Sequence, residues 1–247
     1  MSRTQSRGLY RDQGVVLRTI KLGETDRIVT LLTRGHGRIR AVAKGVRKPG
    51  SRFGARLEPT SHVALQCYRG RELDVITQVE TIDSNRALRE HYGCLTHAVS
   101  MLEAVDQVAQ EREPSPALYR MLSNALSTLA REPSPLVSAA FFWKLLSLEG
   151  FHPMLDVCVR CGEGPADTAF TAFDLGDGGV LCASCAGLGG RRIHPDAVAV
   201  VDRIVNGQLR SVLDAPPGDD VLREVERLGI AALEYHSERR LKSAALL

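Results

Sequence analysis

Between residues 10 and 80 the apolar positions gather into short β-branched runs or alternate with polar ones. VVLRT (15–19), DRIVTLLT (26–33), RIRAVAKGV (38–46), SHVALQCY (61–68) and LDVITQVE (73–80) each have strand length, and Gly23, Gly35, Gly37, Gly45, Gly50 and Gly70 punctuate them. Five short strands with no long helical run between most of them predict a small closed barrel, because closure removes the edges that would otherwise pair with other chains. The expected form is an OB-fold.

From Asn85 the period lengthens from two to about three and a half. Leu88, Tyr92, Leu95, Val99 and Leu102 share one helical face, which Cys94, Ala98, Met101 and Val105 widen, so this helix should be buried on two sides. REPSP occurs at Arg112–Pro116 and again at Arg131–Pro135. Each copy puts a serine at a helix N-cap and a proline at the first helical position. SAAFFWKLLSL (138–148) is apolar nearly all round, with Lys144 as its only charge, and is expected at the centre of a bundle. A glycine-rich segment follows, then a helix from about Pro195. The loop APPGDD (215–220) separates it from a last helix, whose inward stripe is Val221, Val225, Leu228 and Ala232.

The pattern predicts an α+β multidomain chain: an N-terminal OB-fold β-barrel, then an α-helical bundle with an inserted four-cysteine zinc knuckle. The expected divisions are a barrel over 1–82, helices over 83–153, a cysteine segment over 154–190 and helices over 191–247.

Composition is ordinary for a globular chain, at 44% apolar and 25% charged residues. The charge distribution is not. Residues 1–56 hold 14 Lys and Arg against 3 Asp and Glu, whereas the remaining residues hold 18 against 26. A basic quarter on a mildly acidic body points to a polyanionic partner, nucleic acid before an anionic membrane surface. No run approaches the ~18 apolar residues of a membrane span, and the chain reads as cytosolic, where thiols stay reduced.

In that compartment paired cysteines mark metal or redox sites. Cys158 and Cys161 form one C-x-x-C pair, and Cys182 and Cys185 another. Two intervening residues let a tight turn aim both sulfurs at one point, and two such turns complete a tetrahedron of thiolates around Zn²⁺. Four cysteines close the shell, leaving no place for the water of a catalytic zinc. Neither pair lies in a βαβ unit, as a thioredoxin-like site requires, and His236-Ser237-Glu238 follows both pairs, the wrong order for a zinc deaminase. One structural Zn²⁺ is therefore expected. Cys67 and Cys94 read as small core residues, and His152 is the histidine nearest the cluster in sequence.

The basic quarter shows two patterns. In the third strand Arg38, Arg40 and Lys44 should project outward, with Ile39, Ala41 and Ala43 inward. KGVRKPGSRFGAR (44–56) should form a mobile basic flap beside it. With Arg34, these make Arg34, Arg38, Arg40, Lys44, Arg47, Lys48, Arg52, Phe53 and Arg56 the expected DNA contacts. Phe53 either stacks on bases or plugs the loop, and Tyr10 and Tyr68 are the other stacking candidates. No base-reading helix is visible, so binding should be sequence-tolerant and salt-dependent. Phosphate-loop, dinucleotide, zinc-protease and serine-hydrolase motifs are all missing from the sequence.

The order barrel, bundle, four-cysteine knuckle resembles the RecO family of bacterial recombination mediators. The resemblance rests on Leu22-Gly23-Glu24 with Asp26, on Ala43-Lys44-Gly45-Val46-Arg47, on Leu57-Glu58-Pro59 and on the cysteine pairs. It implies a non-enzymatic, cytoplasmic, nucleoid-associated protein that binds single- and double-stranded DNA and anneals complementary strands. It further implies association with RecR and help in loading RecA onto DNA covered by the single-stranded DNA-binding protein. It also implies that the acidic, apolar-ended tail of that protein docks on the helical part, with Arg120, Arg131 and Lys144 beside Phe141–Trp143 as the expected pocket. Family members commonly begin near Leu9-Tyr10-Arg11, which makes residues 1–8 an extension. Two readings compete with it: a zinc-ribbon adaptor for structured RNA or the transcription machinery, and a metal-dependent nucleic-acid hydrolase.

Overall fold

A computed structural model describes residues 8–51, 53–187 and 189–247. The chain divides into two compact units, residues 1–132 and 133–247.

In the first unit β1 (Leu9–Leu22), β2 (Asp26–Thr33), β3 (Gly37–Ala43), β4 (His62–Tyr68) and β5 (Asp74–Asp83) close a barrel in the order β1-β2-β3-β5-β4. β1 is far longer than its apolar core VVLRT suggests. Its first half pairs with β4, Leu9 opposite Tyr68 through Val15 opposite His62, and its second half pairs with β2 as far as Leu22 opposite Asp26. One strand serving two staggered neighbours must be long, and its outer positions are polar, which hid its ends. Val16, Val29, Leu31, Ile39, Ala41, Val63, Leu65, Cys67 and Ile76 fill the interior.

Val15 and Leu17 are also buried but lie outside that interior cluster, because helices α2 (Tyr92–Val108) and α3 (Pro116–Arg131) pack against β1. The single helix expected from Asn85 is two. α1 (Arg86–Glu90) stops at His91, whose extended backbone starts α2. Ser115 caps α3, its hydroxyl accepting from the Leu118 N–H, and Ser134 caps α4 (Pro135–Leu148) through the Leu136 N–H, each followed by proline. The two REPSP copies thus do what their chemistry predicts.

The barrel's seam is short. β3 and β5 pair in parallel over only Ala41–Asp74 and Val42–Val75. The connection between α2 and α3 completes the open part of β3: the Arg38 N–H donates to the Gln110 carbonyl (3.3 Å) and the Arg112 N–H to the Arg38 carbonyl (2.9 Å). Gly37, at φ +65°, admits this close approach, since a Cβ there would stand 2.1 Å from the Glu113 oxygen. Asp74 lies at the seam with 0% side-chain exposure and accepts from the Arg112 guanidinium (2.9 Å), the Gly70 N–H (3.0 Å) and the Tyr10 hydroxyl. Burial alone would raise its pKa, but those donors together hold the carboxyl below its ordinary value, and burial with the Asp74 bond pushes Tyr10 up.

The second unit centres on α4, as its all-round apolarity predicts. Phe141, Phe142 and Trp143 are buried, and α4 packs against α6 (Pro195–Val205) and α8 (Asp219–Ser237). The Trp143 indole donates to the Val225 carbonyl (3.0 Å), and Gly229 leaves the ring its room. A short α7 (Leu209–Asp214) stands between α6 and α8 where the sequence suggested a longer helix; Gly207 at φ +82° marks the break. On α8, Leu222 takes the first buried place and Val221 is half-buried, while Val225, Leu228 and Ala232 are buried as expected. Between α4 and α6 run β6 (Phe170–Asp174), β7 (Gly179–Cys182), the single turn α5 (Ala183–Ala186) and β8 (Arg191–Arg192), with the three strands in the order β7-β6-β8.

The seam generates a prediction. Arg112→Met leaves a buried carboxylate without its cation and should destabilise the protein by about 3 kcal/mol, the lower end for such pairs, because Arg112 is itself 20% exposed. Asp74 titrates lower in the fold than in the open chain, so its contribution is complete above about pH 4 and is lost as pH falls through the folded value. Urea midpoints from pH 3 to 7 measure both effects. A loss below about 1 kcal/mol, typical of an exposed pair, would mean that the linker does not hold the seam.

Candidate metal centre and nucleic-acid interface

Cys158 and Cys161 lie on a knuckle that returns on itself: the Gly162 N–H donates to the Cys158 carbonyl (2.9 Å) and the Cys158 N–H to the Glu163 carbonyl (2.8 Å). Gly162 takes φ +78°, which a side chain would resist. Cys182 ends β7 and Cys185 lies on α5. The knuckle is stitched to the hairpin by Val159 N–H to Val180 O (3.0 Å) and by Arg160, whose guanidinium meets Asp174 at 2.7 Å. Gly179 is required where the knuckle crosses, because a Cβ there would stand 2.3 Å from Val159 Cγ1.

The four Sγ atoms lie within 4.8 Å of one another, with Cys161 and Cys182 at 3.7 Å. Thiolates at about 2.3 Å from a tetrahedral ion stand about 3.8 Å apart, so the donor set fits such an ion. Cys158 is buried, which opposes ionisation, yet N–H groups of Cys182, Cys161 and Arg160 bring its thiol down to about 6. Cys161 accepts from the Glu163 N–H, but desolvation and the neighbouring sulfurs push it up to about 12. One thiolate forms readily; a full set of four needs a cation at the centre. His152 lies outside the cluster, with Nδ1 3.0 Å from Ser147 Oγ. Cys67 and Cys94 are buried, free and separate.

The barrel's cations divide into two groups. β3 alternates as its sequence implies: Ile39, Ala41 and Ala43 are buried, Arg38 and Arg40 half-exposed, and Lys44 exposed. Arg38, however, turns to the end of α2, donating to the Asp106 carbonyl (2.8 Å) and carboxylate (3.1 Å), which Arg18 shares at 2.6 Å. Arg47 donates to the carbonyls of Glu24 (2.9 Å) and Gly23 (3.3 Å), and Arg56 reaches the Phe53 carbonyl (3.5 Å). The heads of Arg34, Arg40, Lys44 and Lys48 are taken up by no ion pair or hydrogen bond among the described residues. All four belong to β3 or the connections at its two ends. Arg52 lies outside the described residues.

The expected mobile flap is an anchored loop. Val46, Phe53 and Leu57 sink into the barrel core, the last on a 3-10 turn, Gly54–Leu57. Phe53 is 2% exposed, so of its two readings the plug describes where it stands, and its ring is not presented for stacking. β3 gives the interior two alanines beside Ile39, and Phe53 belongs to the same buried cluster. A latch fixes the loop's other end. Asp26 accepts from the Gly45 N–H (2.7 Å) and the Thr25 hydroxyl (2.9 Å), which with the field of Lys44 and Lys48 hold its pKa down, and the Arg47 N–H donates to the Thr25 carbonyl (2.9 Å). Arg27 and Glu58 pair at 2.8 Å. Of the other aromatics, Tyr10 is half-buried with the Arg69 guanidinium 5.4 Å from its ring centre, and Tyr68 is 48% exposed.

The proposed partner pocket does not open on its aromatic cluster. Arg120 and Arg131 are exposed on α3, in the first unit; Lys144, in the second, is half-buried with its pKa lowered by desolvation, and the adjoining Phe141, Phe142 and Trp143 are core. Sequence reasoning missed a different feature of the second unit. A hollow of about 600 Å³ is lined by Arg191, Arg223 and Arg227 together with Asp220, Glu226 and Glu234, over Ile230, Ala231 and Leu247, and Arg223 pairs with Asp220. Its arginines are spread between β8 and α8, and no linear motif gathers them.

Comparison with known proteins gives a consistent result. Residues 7–85 match the family model described as recombination protein O N terminal, and residues 89–245 the one described as recombination protein O C terminal. The DNA repair protein RecO of a Nocardioides species is 44% identical over 241 residues, covering 96% of this chain and 98% of that protein. Those of two Bifidobacterium longum strains are 43% identical over 244 residues, covering 97% and 98%.

The sulfur cluster should retain one thiophilic divalent ion per chain after reconstitution and desalting, released when the thiols are alkylated and read with a metallochromic dye. Cys182→Ser should lose the ion and lower the melting temperature. Full retention by that variant would show that the four sulfurs do not act as one site.

Proposed function

The chain belongs to the RecO family, and on that premise we propose a non-enzymatic mediator of DNA repair and recombination. It binds single- and double-stranded DNA without reading sequence, anneals complementary strands and, with RecR, promotes loading of RecA on DNA coated by the single-stranded DNA-binding protein. The observation that carries this reading is the set of cationic heads left uncommitted along β3 and its two connections: Arg34, Arg40, Lys44 and Lys48. Cations that the fold does not use can meet phosphates, releasing counterions and screening the repulsion between two strands. Base pairing then drives annealing, and no nucleotide need be hydrolysed.

Arg38, Arg47 and Arg56 contribute by holding the surface in shape, with their positive charge still adding to its field. The basic barrel of residues 1–82 carries the DNA. The thiol cluster holds one Zn²⁺ as a structural ion: four thiolates close a tetrahedral shell, and residues 154–190 brace the helix that precedes them and those that follow. No helix among the described residues is long and apolar enough to cross a membrane. On the family reading, we propose that the protein works in the cytoplasm, on the nucleoid. For the acidic, apolar-ended tail of the single-stranded DNA-binding protein, the hollow at Arg191 and Arg227 is the better seat: of its carboxylates, Glu226 accepts from the Ser138 hydroxyl, Glu234 accepts from the Leu241 N–H, and Asp220 pairs with Arg223. Its apolar floor is open at Leu247, whereas the Phe141–Trp143 rings are closed off.

Labelled complementary oligonucleotides coated with single-stranded DNA-binding protein should form duplex on addition of this protein without ATP. Arg40→Ala with Lys44→Ala should weaken binding and flatten the slope of log K against log salt by about 1.4 for single strands, ~0.7 for each phosphate no longer neutralised. An unchanged slope would remove β3 from the DNA path, and shortened product would reveal a hydrolase. For the tail, Arg227→Glu should abolish binding of a peptide ending in acidic and apolar residues while oligonucleotide affinity holds; undiminished peptide binding would exclude the hollow.

A further inference from the structure

On the reading that the barrel binds single-stranded DNA, we infer that the bases lie on an apolar belt crossing β3, β5, β4 and β1, formed by Val42, Val75, Tyr68 and Leu9. The four positions are in register: Val42 pairs with Val75, Val75 with Tyr68, and Tyr68 with Leu9. Side chains at paired positions point to the same side of a sheet. They face outward, since the residues next to them on β3, β5 and β4, Ala41, Ala43, Asp74, Ile76 and Cys67, are buried, and Tyr10, next to Leu9 on β1, packs against the interior. Leu9 is 57% exposed and Tyr68 48%, while Val42 and Val75 are half-buried. Four strands at about 4.8 Å spacing make a belt about 14 Å long.

The charge around the belt selects its occupant. At the β3 end Val42 stands between Arg40 and Lys44 on the same outward face, and at the β1 end Leu9 is followed on that face by Arg11. An apolar strip with cations at both ends suits a ligand that carries flat apolar faces and phosphates together. Single-stranded nucleic acid is such a ligand, whereas a duplex keeps its base faces stacked inside. Next to the belt Arg11, Gln66 and Gln78 form a second cross-strand row, Arg11 Nε donating to Gln66 Oε1 at 3.1 Å. Ala64 leaves a hollow of about 450 Å³ there, with Gln13 and Arg34 also in its wall. Amide and guanidinium groups can meet the edges of unstacked bases. Of the hollow's carboxylates, Asp12 is held by the N–H groups of Gln13 and Gly35 and by the His36 ring, and Glu80 remains exposed.

The other aromatics considered for stacking are accounted for: Phe53 is core, and Tyr10 is bonded to Asp74 with Arg69 over its ring. Tyr68 is left to meet a base, and it stands one strand away from the β3 cations, with β5 between. Phosphate contact and base contact would thus be adjacent faces of one barrel.

Fluorescence anisotropy with an oligo-dT and a duplex of equal length tests this. Tyr68→Ala should weaken single-strand binding by about five- to hundredfold, the range for one stacked base. Duplex affinity and salt slope should stay unchanged, because no charge is removed. Tyr68→Phe should restore binding, and Glu80→Gln should tighten it, a gain that misfolding cannot imitate. Equal losses on both DNAs, or wild-type affinity in Tyr68→Ala, would overturn the belt while leaving the DNA-binding reading intact. The second of these results would leave the belt as a protein-docking face. Failure of the unmodified protein to bind oligo-dT would overturn the parent reading, and the belt with it.

Discussion

Asp74 sits, fully buried, where the barrel has least sheet to close it. Two residue pairs join β3 to β5, and beyond them the edge of β3 would be open but for the backbone of the α2–α3 connection and the arginine it carries. A buried carboxylate without partners would cost several kcal/mol or stay protonated; here a guanidinium, a phenol and an amide N–H occupy it. β3 takes its register, and so the outward direction of Arg40, from seven pairs with β2, and the seam closes the barrel on its other edge. The face proposed to meet DNA thus belongs to a barrel whose closure rests on this buried pair.

Charge count alone therefore overstates that surface. Of the cations in the first 56 residues, Arg18, Arg27, Arg38, Arg47 and Arg56 spend their donors on Asp106, Glu58 or backbone carbonyls. The residues that carry the family resemblance do the same work. Gly23, Glu24, Asp26, Gly45 and Arg47 meet one another across the β1–β2 turn and the following loop, and Glu58 pairs with Arg27 of β2. This explains why those short runs are distinctive without being chemically suggestive: they close a latch, and the latch sets where Lys44 and Lys48 stand.

The sequence was legible where structure is local. Strand runs, the alternation in β3, both serine–proline caps and the cysteine spacing depend on neighbours within a few residues, and each appears in the structure. What depends on distant partners was not. Arg38 looked like an outward cation because nothing near it in sequence announces Asp106. Phe53 sits among five cations in a loop without periodicity, and the buried cluster it joins is assembled from strands distant in sequence. The length of β1 has the same origin, since pairing with two neighbours overrode the local pattern.

The metal centre shows how a weakly apolar segment is held. Residues 154–190 contribute few large side chains to a core, and among them Phe173 reaches the bundle, with its ring 5.7 Å from that of Trp143. A short hairpin bridged to its own knuckle at Met154–Gly179 would be marginal alone. Thiolate coordination couples ion binding to folding, with about 10 kcal/mol available in small zinc peptides, and this is ample to fix the knuckle on the hairpin and Phe173 on α4. An ion held there would act on the helices of the second unit through Trp143, which also bonds α8. It follows that stripping the metal should loosen α4 and α8 together, and that a lesion at the cysteines should be felt first by whatever the α8 arginines bind, while the barrel's latch and seam, which share no residue with the cluster, keep their geometry.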